Sequence, residues 1–397
     1  MRSLEELSIN PPPDVAVTAG SPAPLFPARA GRLDGVRLAV KDLVAVAGSP
    51  LRAGTRARAD APPEPRDAAI VARLRAAGAE VSGIVGLHEI AFGVSGINDQ
   101  VGFSPNPHDP TRIPGGSSSG SAVAVADGSC DLAIGTDTGG SIRIPAALCG
   151  VVGFKPTYGR YPTDGVLALS TTLDHVGLLG PTVAAVTAGH HALTGDHSRS
   201  ATPGRLGVDR TALAVADTPI AAAVDRVLAA LSDAGWELVD VTWPGRERVQ
   251  EATTAIMFAE AAALHRALWE DHPDELGADV LARLRLGADV TAEAHRAALT
   301  EAEALRSEVA VVLDGVDAVV GPTVPVLAPT IDAARAEPTL PAVLVSNTRL
   351  ANVVGTPAAS VPVPSGTLPV GLQVLAATDS RTLAVAAAVE ELATSEP

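Results

Sequence analysis

The chain has 397 residues, 47% of them apolar, which is enough for one large domain or two ordinary ones with a sizeable core. Its 37 glycines and 32 prolines are too many for a helical bundle and too scattered for a collagen-like or disordered tract. A formal net charge of −16 with no basic stripe argues against nucleic acid and anionic membrane as partners, since phosphate binding needs clustered Lys and Arg.

Aromatic residues are only 3%, so the core must be packed from small aliphatic side chains. The two cysteines, Cys130 and Cys149, have no metal-ligand spacing and read as small buried thiols rather than a disulfide or zinc site. The N-terminal MRSLEELSINPPPDV has no apolar signal-peptide region, and no run of about 18 uncharged apolar residues occurs, so a cytoplasmic enzyme is the expectation.

In chain order, residues 1–32 read as an irregular Pro-rich arm, and residues 33–397 as a single α/β domain. Val36–Val40 is a short apolar strand ending at Lys41. In Asp67–Ala77, Ile70, Val71, Leu74 and Ala77 share one helical face, with Gly78 as the stop. A strand is expected at Val81–Val85, a small-residue helix at Ala122–Ala126 ending at Gly128, and another strand at Leu132–Gly135. Pro219–Trp236 is an amphipathic helix with Thr218 as its N-cap and Pro219 at the first helical position. Residues 246–314 are helical in pattern, with breaks at Pro273 and near Gly287. Strands return at Asp317–Val320, Ala358–Val363 and Val370–Leu375, and a helix at Arg381–Ala393 follows. The stretch at about 205–315 is expected as a helical insertion in the α/β core.

Three segments carry the chemistry. Ile113–Ser121, IPGGSSSGS, places three serines between glycines. It formally contains GxSxG, but a nucleophile elbow needs a strand before it, and residues 106–114 hold three prolines and read as a loop. Taken alone, it is also compatible with a flexible Gly/Ser loop. Ile134–Pro145, IGTDTGGSIRIP, runs a strand into Thr138, Gly139 and Gly140, with Ser141 at the opening of a helix. Consecutive N–H groups at such a turn suit developing negative charge. A tight turn with a Ser N-cap would look the same. In Leu38–Asp42, a lysine ends an apolar strand. Burial disfavours the ammonium, and lowering a lysine pKa by about three units costs about 4 kcal/mol. An ion pair between Lys41 and a carboxylate is the alternative.

GGSSSGSAVAVA and, 24 residues beyond Ser117, Ser141 in GTDTGGSIRIPAALCGVVGFKPTYGR together resemble the amidase signature family. AVKD, DAAIVARLRAAGAEV, GLHEIAFGVSGIND, LDHVGLLGPTV, DAVVGPTVPVLAP, ANVVGTPAASVPV and PVGLQVL fit the same pattern, so the resemblance covers roughly residues 33–190 and 315–393. It implies the family fold, a central mixed β-sheet flanked by helices. It also implies a Ser–cisSer–Lys triad: Ser141 as nucleophile, Ser117 as the bridging serine after a cis Gly116–Ser117 peptide, and Lys41 as the base. The backbone N–H groups of Thr138, Gly139, Gly140 and Ser141 are the implied oxyanion hole. Ser118 is expected to support the triad, and Asp137 and Arg143 to brace the turn. His88, Phe92, Phe103 and Asn352 are the candidates for the substrate pocket, and His175 is expected to pack.

The implied activity is hydrolysis of the C–N bond of a small amide through an acyl-enzyme, releasing ammonia or an amine, with no cofactor and no metal. A glutaminase-type component of an amidotransferase, an amide-forming acyl transferase and a non-catalytic scaffold remain alternatives. Lys41 comes early, so most of the helical segment that precedes it in the family is missing. That leaves the oligomeric state open, a homodimer included. The short central stretch and the form of the serine motifs look nearer to stand-alone small-amide hydrolases of the indoleacetamide type.

Overall fold

The apolar run before Lys41 forms strand β1 (Arg37–Lys41), in which every residue from Leu38 onward is buried. The computed structural model describes residues 32–196, 201–243, 245–366 and 368–394. The expected N-terminal arm therefore lies, but for Arg32, outside the described residues. After β1 the chain forms the helix Ala69–Ala76, which buries Ile70, Val71 and Leu74 on one stripe. Gly78 then turns the chain at φ +109° into β2 (Glu80–Val85). β2 lies parallel to β1, as a strand–helix–strand crossover requires. The helix Ser119–Ala126 leads in the same way to β3 (Leu132–Asp137), which pairs parallel with the other edge of β1 through Leu38–Leu132, Ala39–Ala133 and Val40–Ile134. The carboxyl ends of β1 and β3 thus lie side by side, the usual location for ligand chemistry in such sheets.

The remaining strands are β4 (Val152–Lys155), β5 (His175–Gly180), β6 (Arg205–Asp209), β7 (Glu237–Val241), β8 (Ala318–Pro322), β9 (Ala358–Val363) and β10 (Val370–Leu375). The described residues form one ten-stranded sheet in the order β2-β1-β3-β5-β4-β9-β10-β8-β6-β7. Its centre is antiparallel, from β3 through β5, β4, β9 and β10 to β8, and both flanks are parallel. β3, β5 and β10 are buried along their whole length, so helices cover both faces there. This is the mixed sheet flanked by helices that the motifs imply.

The expected helical stretch at 205–315 divides in two. Its first part is strand–helix–strand: β6, the helix Thr218–Asp233 and β7 extend the sheet beyond β8. Helices Arg246–Leu264, Arg266–Asp271, Ala278–Ala288 and Ala292–Asp314 then follow before β8. The break at Pro273 appears as a 3-10 turn at Pro273–Glu275, and the one near Gly287 as the gap between the last two helices. Arg246–Leu264 packs on the two long helices that follow and on the short helix Arg349–Val353. The long helix before β7 begins at Thr218, so Asp217 rather than Thr218 holds the N-cap position. Its carboxylate accepts the N–H of Leu327 at 3.2 Å.

Leu178, fully buried in β5 between β3 and β4, tests the sheet core. Leu178→Ala is expected to lower the unfolding free energy by about 3 kcal/mol, read from urea denaturation. A loss below about 1 kcal/mol would mean that the site is not close-packed.

Candidate active site

At the end of β1 the Lys41 amine nitrogen is fully buried and lies within hydrogen-bond distance of three hydroxyls: Ser117 Oγ at 2.8 Å, Ser118 Oγ at 2.9 Å and Thr136 Oγ1 at 2.7 Å. Its neighbours come from two parts of the chain. Thr136 lies in β3, and Ser117 and Ser118 stand immediately before the helix Ser119–Ala126. The Gly116–Ser117 peptide is cis. Ser118 ties the group together. Its hydroxyl donates to the Thr136 carbonyl at 3.0 Å and accepts the Thr136 N–H at 3.2 Å, and its own N–H donates to the Ser141 carbonyl at 3.1 Å. The Ser117 carbonyl accepts the backbone N–H of His88 at 3.1 Å.

No carboxylate hydrogen-bonds Lys41 among the described residues. Burial pulls its pKa down to about 7, and the charges of Asp137 and Asp174 recover only part of that fall. Both carboxylates are engaged elsewhere. Asp137 and Arg143 have fully buried side chains and form a two-pronged pair at 2.9 and 3.0 Å. Burial alone would raise the Asp137 pKa, but the Arg143 charge and hydrogen bonds, with smaller help from Lys155 and Asn352, hold it well below the usual carboxylate range. Asp174 accepts the Thr138 hydroxyl at 2.6 Å and the N–H groups of Leu169 and Ser170 at 2.8 and 3.0 Å. Burial still lifts its pKa to about 6.

The turn between β3 and the helix Arg143–Cys149 is built on Asp137. Its carboxylate accepts the N–H of Gly140 at 2.8 Å, Ile142 at 3.2 Å and Arg143 at 3.4 Å. Gly140, expected as an oxyanion donor, therefore points its N–H at Asp137 instead. Thr138, Gly139 and Ser141 remain as the candidate donors. At φ +130° Gly140 has a backbone that side chains rarely adopt, and a Cβ there would run into the Thr348 hydroxyl. That hydroxyl donates to the Gly139 carbonyl at 2.6 Å and fixes the turn from outside. Arg143 also donates to the Thr348 carbonyl at 2.9 Å, Gln373 Oε1 at 2.8 Å and Asn352 Oδ1 at 2.7 Å. Asp137 and Arg143 thus brace the turn from β3 to β10.

Ser141 opens onto a cavity of about 270 Å3, lined by Thr138, Gly139, Phe92, Met257, Phe258 and Arg349 among others. Of the residues expected in a substrate pocket, Phe92 alone lines this cavity, its ring edge-on to Phe258 at 5.1 Å. Asn352 is corrected to a bracing residue, since its amide donates to both the backbone and side-chain oxygens of Asp137 at 2.8 Å. His88 lines an adjoining cavity, where its ring meets Asp279 Oδ2 at 3.3 Å. Phe103, half-buried, lines none of these cavities. His175 packs edge-on against Tyr158 and donates Nδ1–H to the Leu173 carbonyl at 2.7 Å. Thr136, Asp174, Thr348 and Arg349 were not among the expected site residues. Of these, Thr136 carries a local signal, a polar residue two positions after Ile134 on the same face of an apolar strand, and Asp174 lies in the LDHVGLLGPTV segment. Both cysteines are buried free thiols. Among the described residues, no helix is long and apolar enough to cross a membrane.

The family model described as Amidase matches residues 23–382. A glutamyl-tRNA(Gln) amidotransferase subunit from Halobacterium salinarum is 34% identical over 87% of this chain and 92% of its own length. The indoleacetamide hydrolase of Pseudomonas savastanoi is 43% identical over 52% of this chain, and that match spans about half of the relative, 46%. Among solved structures, one described as a crystal structure of amidase is 37% identical with a TM-score of 0.84, covering 90% of this chain and 85% of that one. With a matching model over most of its length, a matching fold and a relative aligned nearly end to end, the chain belongs to the amidase signature family.

Proposed function

We propose that this protein hydrolyses the C–N bond of a small linear amide through an acyl-enzyme on Ser141, with Ser117 as the bridging hydroxyl and Lys41 as the base. The observation that carries this reading is the buried Lys41 amine, held by three hydroxyls and no carboxylate, with a pKa of about 7. A neutral amine has two N–H donors and one lone pair. Ser118 already donates its proton to Thr136 and so takes an N–H from Lys41. With the other N–H on Thr136, the lone pair faces Ser117.

In the proposed step, Ser141 Oγ attacks the amide carbon and passes its proton to Ser117, whose own proton goes to Lys41. The new oxyanion is held by the N–H groups of Thr138, Gly139 and Ser141. When the C–N bond breaks, the proton returns along the same path to the leaving nitrogen. Water then attacks the acyl-enzyme, with the same relay taking its proton, and the acid leaves. A cavity of about 270 Å3 supports a small acyl group. A second reading, an ammonia-supplying component of an amidotransferase, is favoured by the 34% identity to the Halobacterium relative. It predicts that the isolated chain releases little ammonia until a partner is added.

The test is covalent labelling with a fluorophosphonate, read by intact mass. The parent is expected to gain one adduct, on Ser141, and both Ser141→Ala and Lys41→Ala are expected to lose it. Labelling that persists in Ser141→Ala would move the nucleophile elsewhere, with Ser118 the first suspect. Gly140→Ala is expected to slow labelling at least tenfold, because the turn must shift away from Thr348.

Stability gives an independent prediction. The Lys41 pKa falls from 10.5 in the unfolded chain to about 7 in the folded one, a cost of about 5 kcal/mol below pH 7. The cost shrinks as pH rises through that window and vanishes above 10.5, where both states are neutral. Lys41→Met is therefore expected to be more stable than the parent at pH 6, by an amount that declines towards pH 10. Urea denaturation at the two pH values checks it, and an advantage that is absent or grows with pH would contradict the shifted lysine.

A further inference from the structure

The chain is strongly acidic, yet among the described residues the cavity beside Ser141 is lined by no Asp or Glu and by two arginines, Arg283 and Arg349. Arg283 has a counter-ion, since it donates to Asp279 at 2.8 Å. Arg349 has none among the described residues. Its Nη1 donates to the Thr254 hydroxyl at 2.8 Å and, at 3.5 Å, to the Gln250 carbonyl, both neutral and both from the helix Arg246–Leu264. Its Nε is enclosed without an acceptor. Burial is the one influence on its pKa, which falls to about 10, so the guanidinium stays charged at neutral pH.

An enclosed donor and a half-buried charge without a counter-ion both cost stability, and the cost is recovered when an anion arrives. The position of Arg349 says where that anion would sit. It follows Thr348, whose hydroxyl holds the Gly139 carbonyl, and a Cβ placed on Gly139 would lie 3.6 Å from Arg349 Cγ and 3.8 Å from Nε. The side chain therefore lies against the turn that carries the proposed oxyanion donors, within the reach of one small substrate. A guanidinium edge matches a carboxylate with two parallel N–H bonds, which an ammonium cannot do.

We propose that Arg349 is a specificity-determining residue that binds a carboxylate on the substrate, so that the site takes small amides bearing a carboxylate a few bonds from the scissile carbonyl. This rests on the reading of Ser141 as the nucleophile. Arg349 touches the non-reacting end of the substrate, so its loss should act mainly through KM.

Three pairs of equal chain length form the test: malonamate against propionamide, succinamate against butyramide, and glutaramate against pentanamide. Ammonia release is measured with the full-length parent, Arg349→Gln and Arg349→Lys. In at least one pair the anionic member is expected to have a kcat/KM at least tenfold higher. Arg349→Gln should erase that preference through KM, and Arg349→Lys should keep part of it. Should Arg349→Gln fail to melt cooperatively, Arg349→Lys decides, with a weakened preference expected and an unchanged one contradicting the proposal. Equal or lower rates for the anionic member in all three pairs, or a preference that survives Arg349→Gln, overturn it. If no amide of the six is turned over while fluorophosphonate still labels Ser141, the carboxylate proposal fails and the hydrolase reading stands. If Ser141 is not labelled either, the hydrolase reading fails and takes this proposal with it.

Discussion

Everything at this site depends on keeping one buried lysine away from a counter-ion. The Lys41 amine sits at the carboxyl end of a strand whose two neighbours run parallel to it, in a region that water does not reach. A carboxylate in contact would restore its charge and end any role as a base. The two acidic side chains whose fields reach it are both engaged elsewhere. Arg143 clamps Asp137, and Asp174 is tied to the Thr138 hydroxyl and two backbone N–H groups. Arg143 therefore braces the turn and also keeps the Asp137 charge directed away from Lys41. What remains around the amine is hydroxyl, which can give or take a proton.

The same carboxylate explains the shape of the turn. By gathering the N–H groups of Gly140, Ile142 and Arg143, Asp137 folds the chain so that Ser141 comes between the end of β3 and the start of the next helix. Thr348 and Asn352, more than two hundred residues further on, hold the turn from outside. The parts divide by element. The parallel flank of the sheet carries Lys41 and the hydroxyls around it, and the helical layer from 246 to 314 with the segment around 349 supplies much of the wall of the cavity beside Ser141.

How much of this is legible in the sequence follows from the range of the interactions. Strands β1, β2, β3, β8, β9 and β10 are short apolar runs bounded by turn residues, so local pattern suffices. β4 to β7 carry no cleaner pattern than their surroundings, and β6 joins the sheet through its parallel pairing with β8 and brings β7 with it on its other edge. Ser117 and Ser141 stand out as chemistry-bearing types in a glycine-rich context, and Lys41 as a charge at the end of an apolar strand. Which N–H groups of the turn are free is not legible, because it turns on the path of the Asp137 carboxylate, and this removes Gly140 from the donor set. Asn352 sits in a readable motif, yet its amide faces Asp137 rather than the cavity. Phe103 is aromatic and near the motifs, and the chain carries it elsewhere. Arg349 is missed because nothing in its own segment says that the facing helix will meet it with a hydroxyl and a carbonyl instead of a carboxylate.

The central claim is that Lys41 is neutral and basic near pH 7 because it is buried without a counter-ion. The pH dependence of the second-order rate constant for fluorophosphonate labelling of Ser141 tests it most directly, since the probe itself does not titrate and one bond-forming step is read. The account predicts a rate that rises with pH through a single transition centred near 7. A flat profile from about pH 5 to 9, or a transition near the ordinary lysine value of 10.5, would contradict it.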